Sequence, residues 1–298
     1  MDFPAEPRMR RLLVHTAAHA VVDFACFYVL FARFLPHVPA AEQLTLGFLL
    51  YDILAFGLQP LIGYLCDHYR SFPAAPLGCL LTLVGTCLPQ SVAWGALVLC
   101  ALGNAWFHAG AGSDTLLASH GRMWQGGVFV SAGAVGVALG TLAGRAGVSA
   151  ALPIALLSAL LLLEWWLPTQ FGGALTRYRI CGGGMGLPMA FFLLLLRLSA
   201  FGHFPVVALC ICWGLAITIF NLVFQSEIIR LAPEATAIAM SVYSGIYNVG
   251  IGAGALVGGF VCTHASIARI GYAGGAIALL AALFCLVRLV PLLKRSRG

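Results

Sequence analysis

Charge is what this sequence has least of. Only 9% of its 298 residues are Asp, Glu, Lys or Arg, and lysine occurs once, at Lys294. A soluble domain carries about 25% charged residues. So few charges cannot cover an apolar core in water, and a soluble globule is excluded. The net charge of +6 forms no basic run except near the two ends, so nucleic acid is not an expected partner. Strict polar–apolar alternation is also missing, which argues against a membrane β-barrel. The ten cysteines include no pair separated by two intervening residues, so neither a redox motif nor a zinc site can be read from their spacing. They read as small apolar packing residues. No nucleophile–base pair or metal set is visible, and no enzyme activity, metal or cofactor is expected.

What is present is apolar residue in long runs. Hydrophobic residues make up 61% of the chain and mean hydropathy is +0.97. At about 30 residues per span and loop the length allows about ten transmembrane helices. Their approximate bounds are 12–35, 44–66, 74–90, 92–109, 125–146, 148–167, 186–201, 204–224, 235–261 and 270–292. The fold class is an all-α polytopic membrane protein. The Gly-rich basic stretch 169–186 divides it, giving a six-helix half over 1–168 and a half of about four helices over 187–298. With the N-terminus inside, twelve of the 16 Lys and Arg residues fall on the cytoplasmic side. Arg33, Arg145 and Arg269 fall outside, and Arg197 lies within a span. The bias places both termini in the cytoplasm of a cell inner (plasma) membrane. The segment 186–201 is short and carries Arg197, but dropping it would put the basic tail outside.

Two glycine ladders suggest that the halves are related. Gly136, Gly140 and Gly144 recur as Gly250, Gly254 and Gly258, and Leu142 matches Leu256. Glycine every four residues lets two helix backbones approach closely, so both ladders read as helix-packing faces.

The first span carries the most informative polar set. His15, His19 and Asp23 are four apart and form one stripe on a helix. A carboxylate at mid-membrane is costly and faces a wet cavity or a partner. With a neighbouring histidine it can carry a proton. The same pattern also fits Asp23 tied to His19 as structural glue. Asp52 lines a cavity, pairs with Arg33, or sits near the interface. Asn104 and His108 share one face near the end of the fourth span, where a ligand or a neighbouring helix must satisfy them. Glu164 lies beside Trp165 and Trp166, an interfacial setting that reads as structural. Arg197, Asn221 and Asn248 are polar residues in or near spans of the second half.

The segment QPLIGYLCDHYR (59–70) resembles the motif between spans two and three of the major facilitator superfamily. Gly63, Leu65 and Asp67 match its opening, and the later glycine and basic pair are missing. Gly127, Gly136, Gly140 and Gly144 resemble the span-five motif of its antiporters, with Thr141 where proline is usual. His19-Ala-Val-Val-Asp23, QPLIGYLCD and GNAWFHAGAG are similar to segments of fosmidomycin-resistance carriers. Residues 225–259 look like the tenth-to-eleventh span region of drug and sugar efflux carriers. The resemblance implies two six-helix halves that rock about a central cavity. It implies proton-coupled efflux of a small organic molecule, in the manner of a multidrug antiporter. Asp23 and His19 would then couple protons. His15, Asp52, Asn104, His108, Asn221 and Asn248 would meet substrate, and Gly63, Asp67 and Arg70 would form a gating loop. In the superfamily the glycine motif recurs in span eleven, whereas here it recurs in about the ninth. Two helices after the linker are therefore expected to be missing. Another protomer in a homo-oligomer could fill the gap, or 186–201 could. Otherwise the chain would be a non-transporting sensor, scaffold or relic on the same fold.

Overall fold

In a bilayer every backbone N–H and C=O must be satisfied within its own segment, so long apolar runs fold as helices. The computed structural model describes residues 5–38, 40–69, 72–119, 123–167 and 186–295, and no strand occurs among them. Seven helices are long and apolar enough to cross a membrane: α1 (Met9–His37), α2 (Glu42–His68), α4 (Gln90–Ala118), α5 (Trp124–Arg145), α8 (His203–Leu231), α9 (Pro233–His264) and α10 (Ile267–Leu292). Three further apolar helices are shorter: α3 (Ala74–Cys87), α6 (Ala151–Trp165) and α7 (Leu187–Phe201). A helix of 14 residues spans about 21 Å, less than the roughly 30 Å hydrocarbon core. These ten helices coincide with the ten apolar segments of the sequence, and seven have the length of a span. The basic linker falls almost wholly outside the described residues, as does Arg70.

Proline shapes three of the helices. A wide π-helical turn lies at Leu30–Phe34, at Ile53–Gly57 and at Cys285–Leu289. Pro36, Pro60 and Pro291 follow them within three residues. A proline ring clashes with the carbonyl four residues earlier, and widening the preceding turn relieves the clash without ending the helix.

One differing boundary matters for function. The fourth span, expected to end near residue 109, continues as helix to Ser119. Its run Gly110-Ala-Gly-Ser-Asp114 is a weak helix former by composition, since glycine disfavours helix. Packing overrides that preference. A Cβ at Gly110 would fall on the backbone of Ala74 and Ala75, so glycine is what lets α3 and α4 touch.

The chain divides into two compact units. The first comprises Met1–Arg177 with Ile228–Asn248. In it α1 packs most extensively on α5, and α3 on α4. Glycines make both contacts. Side chains at Gly136 and Gly140 would collide with the carbonyls of Ala20 and Phe24 on α1, and one at Gly78 with the backbone of Phe107. The core is built on Val22, Ala25, Val29, Phe34, Leu97 and Phe107, all fully buried. The first turns of α9 also belong to this unit. Asp67 at the end of α2 accepts the N–H of Ile238 at 2.8 Å and that of Ala237 at 3.2 Å. The positive end of the helix dipole favours a carboxylate there. Gly63 one turn earlier leaves room for Ser241 and the Ala237 carbonyl.

The second unit comprises Tyr178–Glu227 with Val249–Gly298. Within it α7 packs on α10, where Gly271 and Gly275 admit Leu193, Leu194 and Leu196. Arg197 on α7 is exposed.

The second glycine ladder departs from expectation. Nothing lies within 4 Å of a Cβ placed at Gly250 or Gly254, and only Ile270 approaches one at Gly258. The two ladders match in sequence, but among the described residues only that on α5 seats another helix backbone.

Candidate functional site in the first helical unit

The α1 stripe folds inward as its four-residue spacing requires. His15, His19 and Asp23 are all buried, and two polar clusters form along the stripe. The first joins α1, α4 and α5. His19 Nδ1 lies 2.8 Å from the Phe129 carbonyl, and His108 Nδ1 lies 2.9 Å from the Asn104 carbonyl. A carbonyl only accepts, so both Nδ1 atoms carry hydrogen and donate. The Nε2 atoms of the two rings then face each other at 2.9 Å. Two bare lone pairs do not approach so closely. At that distance the two Nε2 atoms are placed to share one proton, and a pair that holds it carries one positive charge. Asp23 supplies the counter-charge, with Oδ2 3.3 Å from His19 Nε2 and Oδ1 3.8 Å from His108 Nε2. Asn104 Nδ2 donates to Asp23 Oδ1 at 2.9 Å.

The rings are held as well as the charges. His19 stacks on Phe129 at 4.3 Å between centroids and meets the edge of His108 at 4.6 Å. Gly133, one turn along α5 from Phe129, completes the enclosure. A Cβ there would strike His19 Nε2 and Asp23 Oδ2. The His108 side chain is 21% exposed against 6% for His19, so the cluster is approached from the His108 side.

The second cluster lies one helical turn away. His15 Nδ1 is 2.8 Å from Glu164 Oε1 and its Nε2 is 2.9 Å from Asp114 Oδ2. Arg11 Nη1 donates to Asp114 Oδ1 at 3.1 Å. Two carboxylates accept from one imidazole, so both ring nitrogens donate and His15 is positive. Arg11 and His15 then balance Asp114 and Glu164. Burial of charge is tolerated only with such compensation.

These contacts revise several expectations. His15 offers no ring nitrogen to a substrate, since both are taken. Glu164 is not an interfacial residue: it is 1% exposed, while the neighbouring Trp165 and Trp166 are 66% and 80% exposed. Asp114 and Gly133 were missed. An acidic residue inside an apolar helix is itself a signal, and at Asp114 it was hidden by the glycine-rich surroundings. Asp52 is exposed, and Arg33 instead donates to the Leu88 carbonyl. Asn221 and Asn248 each donate to the carbonyl four residues earlier on their own helix, at 3.1 and 2.8 Å. The geometry also brings three metal-ligating side chains together, His19, Asp23 and His108. Sequence spacing could not reveal them, because His108 lies 89 residues from His19.

No family model matches the chain. One curated relative is a "probable sugar efflux transporter" of Mannheimia succiniciproducens, 45% identical over 92 residues. The match spans 31% of this chain and only 22%, about a fifth, of that protein's length. Taken with the seven long apolar helices, it makes this chain a multi-pass helical membrane protein with transporter-like sequence in about a third of its length.

Proposed function

We propose that the chain is a secondary active transporter, a major facilitator-like carrier that exports a small organic molecule by alternating access. The observation that carries this reading is the cluster of buried His19 and Asp23 with half-buried His108, in which two imidazole Nε2 atoms face each other at 2.9 Å beside a carboxylate. A structural tie needs no group that changes charge. A coupled carrier does: the site must be charged when open to one side and neutral, or differently paired, as it reorients. In this reading the His19–His108 pair holds the proton and Asp23 is its counter-charge, with Asn104 and the exposed edge of His108 meeting substrate. The relative's name makes sugars the first solutes to test. Ten transmembrane helices in two related halves, with both termini cytoplasmic in the inner membrane, complete the proposal.

The test uses purified chain in proteoliposomes loaded with a pH-sensitive dye. Wild type should show proton movement driven by a sugar or another small organic solute. Asp23→Asn and His108→Gln should abolish it while the protein still inserts. Unchanged flux in Asp23→Asn removes this cluster from the mechanism.

A second reading, a non-transporting membrane sensor or scaffold, is favoured by the open ladder at Gly250 and Gly254. It predicts stoichiometric co-purification of another protein and no flux with any solute.

A further inference from the structure

We propose that His19, Asp23 and His108 form a binding site for a divalent transition-metal cation of the zinc class. The three ligand atoms lie within 4.8 Å of one another. His19 Nε2 is 2.9 Å from His108 Nε2 and 3.3 Å from Asp23 Oδ2, and His108 Nε2 is 3.8 Å from Asp23 Oδ1. Ligand atoms about 2.0–2.1 Å from one tetrahedral ion lie about 3.3 Å apart. Rotation of the rings and of the Asp23 carboxylate that draws the widest separation, up to 4.8 Å, in to about 3.3 Å seats one ion between all three.

Orientation favours a metal as strongly as distance does. Both imidazoles donate Nδ1–H to backbone carbonyls, those of Phe129 and Asn104. That arrangement is the usual outer support of a metal-bound histidine: it fixes the tautomer, aims the Nε2 lone pair and raises its basicity. Asp23 is steadied in the same way by the Asn104 amide. Asn104 Oδ1 remains a buried acceptor without a partner, which a metal-bound water would serve. Two imidazoles and one carboxylate leave a fourth position open, as in zinc sites that bind water or a further ligand. Nitrogen donors select zinc, cobalt or nickel over calcium and magnesium, which take oxygen.

Binding leaves the site with one net positive charge, which a hydroxide or an anionic ligand in the open fourth position would offset. The ion replaces the proton shared by the two Nε2 atoms, and that proton leaves to solvent. Proton and metal are alternative occupants of one set of lone pairs, so affinity falls as pH falls. The inference goes beyond the transport reading and stands apart from it, because it is read by binding rather than by flux.

The experiment is calorimetric titration of the purified full chain in detergent with zinc chloride, then with magnesium and calcium chloride. One zinc per chain is expected, with no comparable signal from the other two. His19→Gln, His108→Gln and Asp23→Asn should each weaken zinc at least about tenfold. His264→Gln, an exposed histidine on α9, should not. Titration with cobalt gives a second readout on wild type alone: visible absorption bands of a four-coordinate ion that zinc displaces. If His19→Gln fails to fold, His108→Gln and the cobalt spectrum still decide. Absence of stoichiometric zinc overturns the proposal, as does zinc binding that survives both His108→Gln and Asp23→Asn.

Discussion

Buried charge makes single residues decisive here. His15 sits between two carboxylates, so His15→Ala leaves Asp114 and Glu164 facing each other with only Arg11 to offset them. Breaking a buried pair in this way costs about 3–5 kcal/mol, and the detergent melting temperature should fall markedly. Glu164→Gln removes one charge and keeps an acceptor, so its loss should be smaller. Equal melting of both variants would mean that the second cluster is not charged as described. Gly133→Ala places a methyl group against His19 and Asp23. Overpacking of this kind costs about 1–3 kcal/mol. The variant should insert normally and lose zinc binding and flux together. At this scale the sequence was partly legible. The stripe His15, His19 and Asp23 is local, and helical spacing alone puts it on one face. Asp114 and Glu164 lie 99 and 149 residues from His15, and no single-sequence pattern spans such distances.

At the level of helices, close approach is set by glycine, and the two ladders separate packing from pattern. Gly140→Leu on α5 would drive a side chain into the Phe24 carbonyl and should destabilise the α1–α5 pair enough to reduce folded yield. Gly254→Leu on α9 meets nothing within 4 Å and should leave thermal stability within about 0.5 kcal/mol of wild type. Paired melts of the two variants make the comparison directly, and equal losses would show that α9 is packed as tightly as α5. Asp67→Ala removes the carboxylate from the first turn of α9 and should cost about 1 kcal/mol. Asp67→Asn, which keeps an acceptor, should cost less. Repetition of glycine every four residues was readable from the sequence at both ladders. Whether a second backbone fills the groove depends on tertiary neighbours, which the pattern alone does not specify at Gly250 and Gly254.

For the molecule as a whole, hydropathy carried most of the information. Apolar run length located the seven long helices, and three shorter apolar helices fall on its remaining segments, because a bilayer leaves a chain no other way to satisfy its backbone. Boundaries were less secure: α4 runs ten residues past its expected end, since helix propensity undervalues glycines that packing requires. Orientation rests on arginine placement, and reporter fusions measure it. A fluorescent protein fused after Gly298 should fold and fluoresce in the cytoplasm, and alkaline phosphatase at the same place should stay inactive. An active phosphatase would show that an odd number of the ten helices crosses the membrane, with the 15-residue α7 the first to drop.

The anchor of His19 on α5 has a consequence for genetics. Its acceptor is the carbonyl of Phe129, a group every amino acid possesses. A library that varies residue 129 alters the ring stacked on His19 but never deletes the acceptor. Such a screen would score the position as a matter of shape alone, and the bond that sets the tautomer would stay invisible to it. Only chemistry on the main chain, such as an ester in place of the amide that follows Phe129, would weaken that acceptor and expose what the imidazole owes to it.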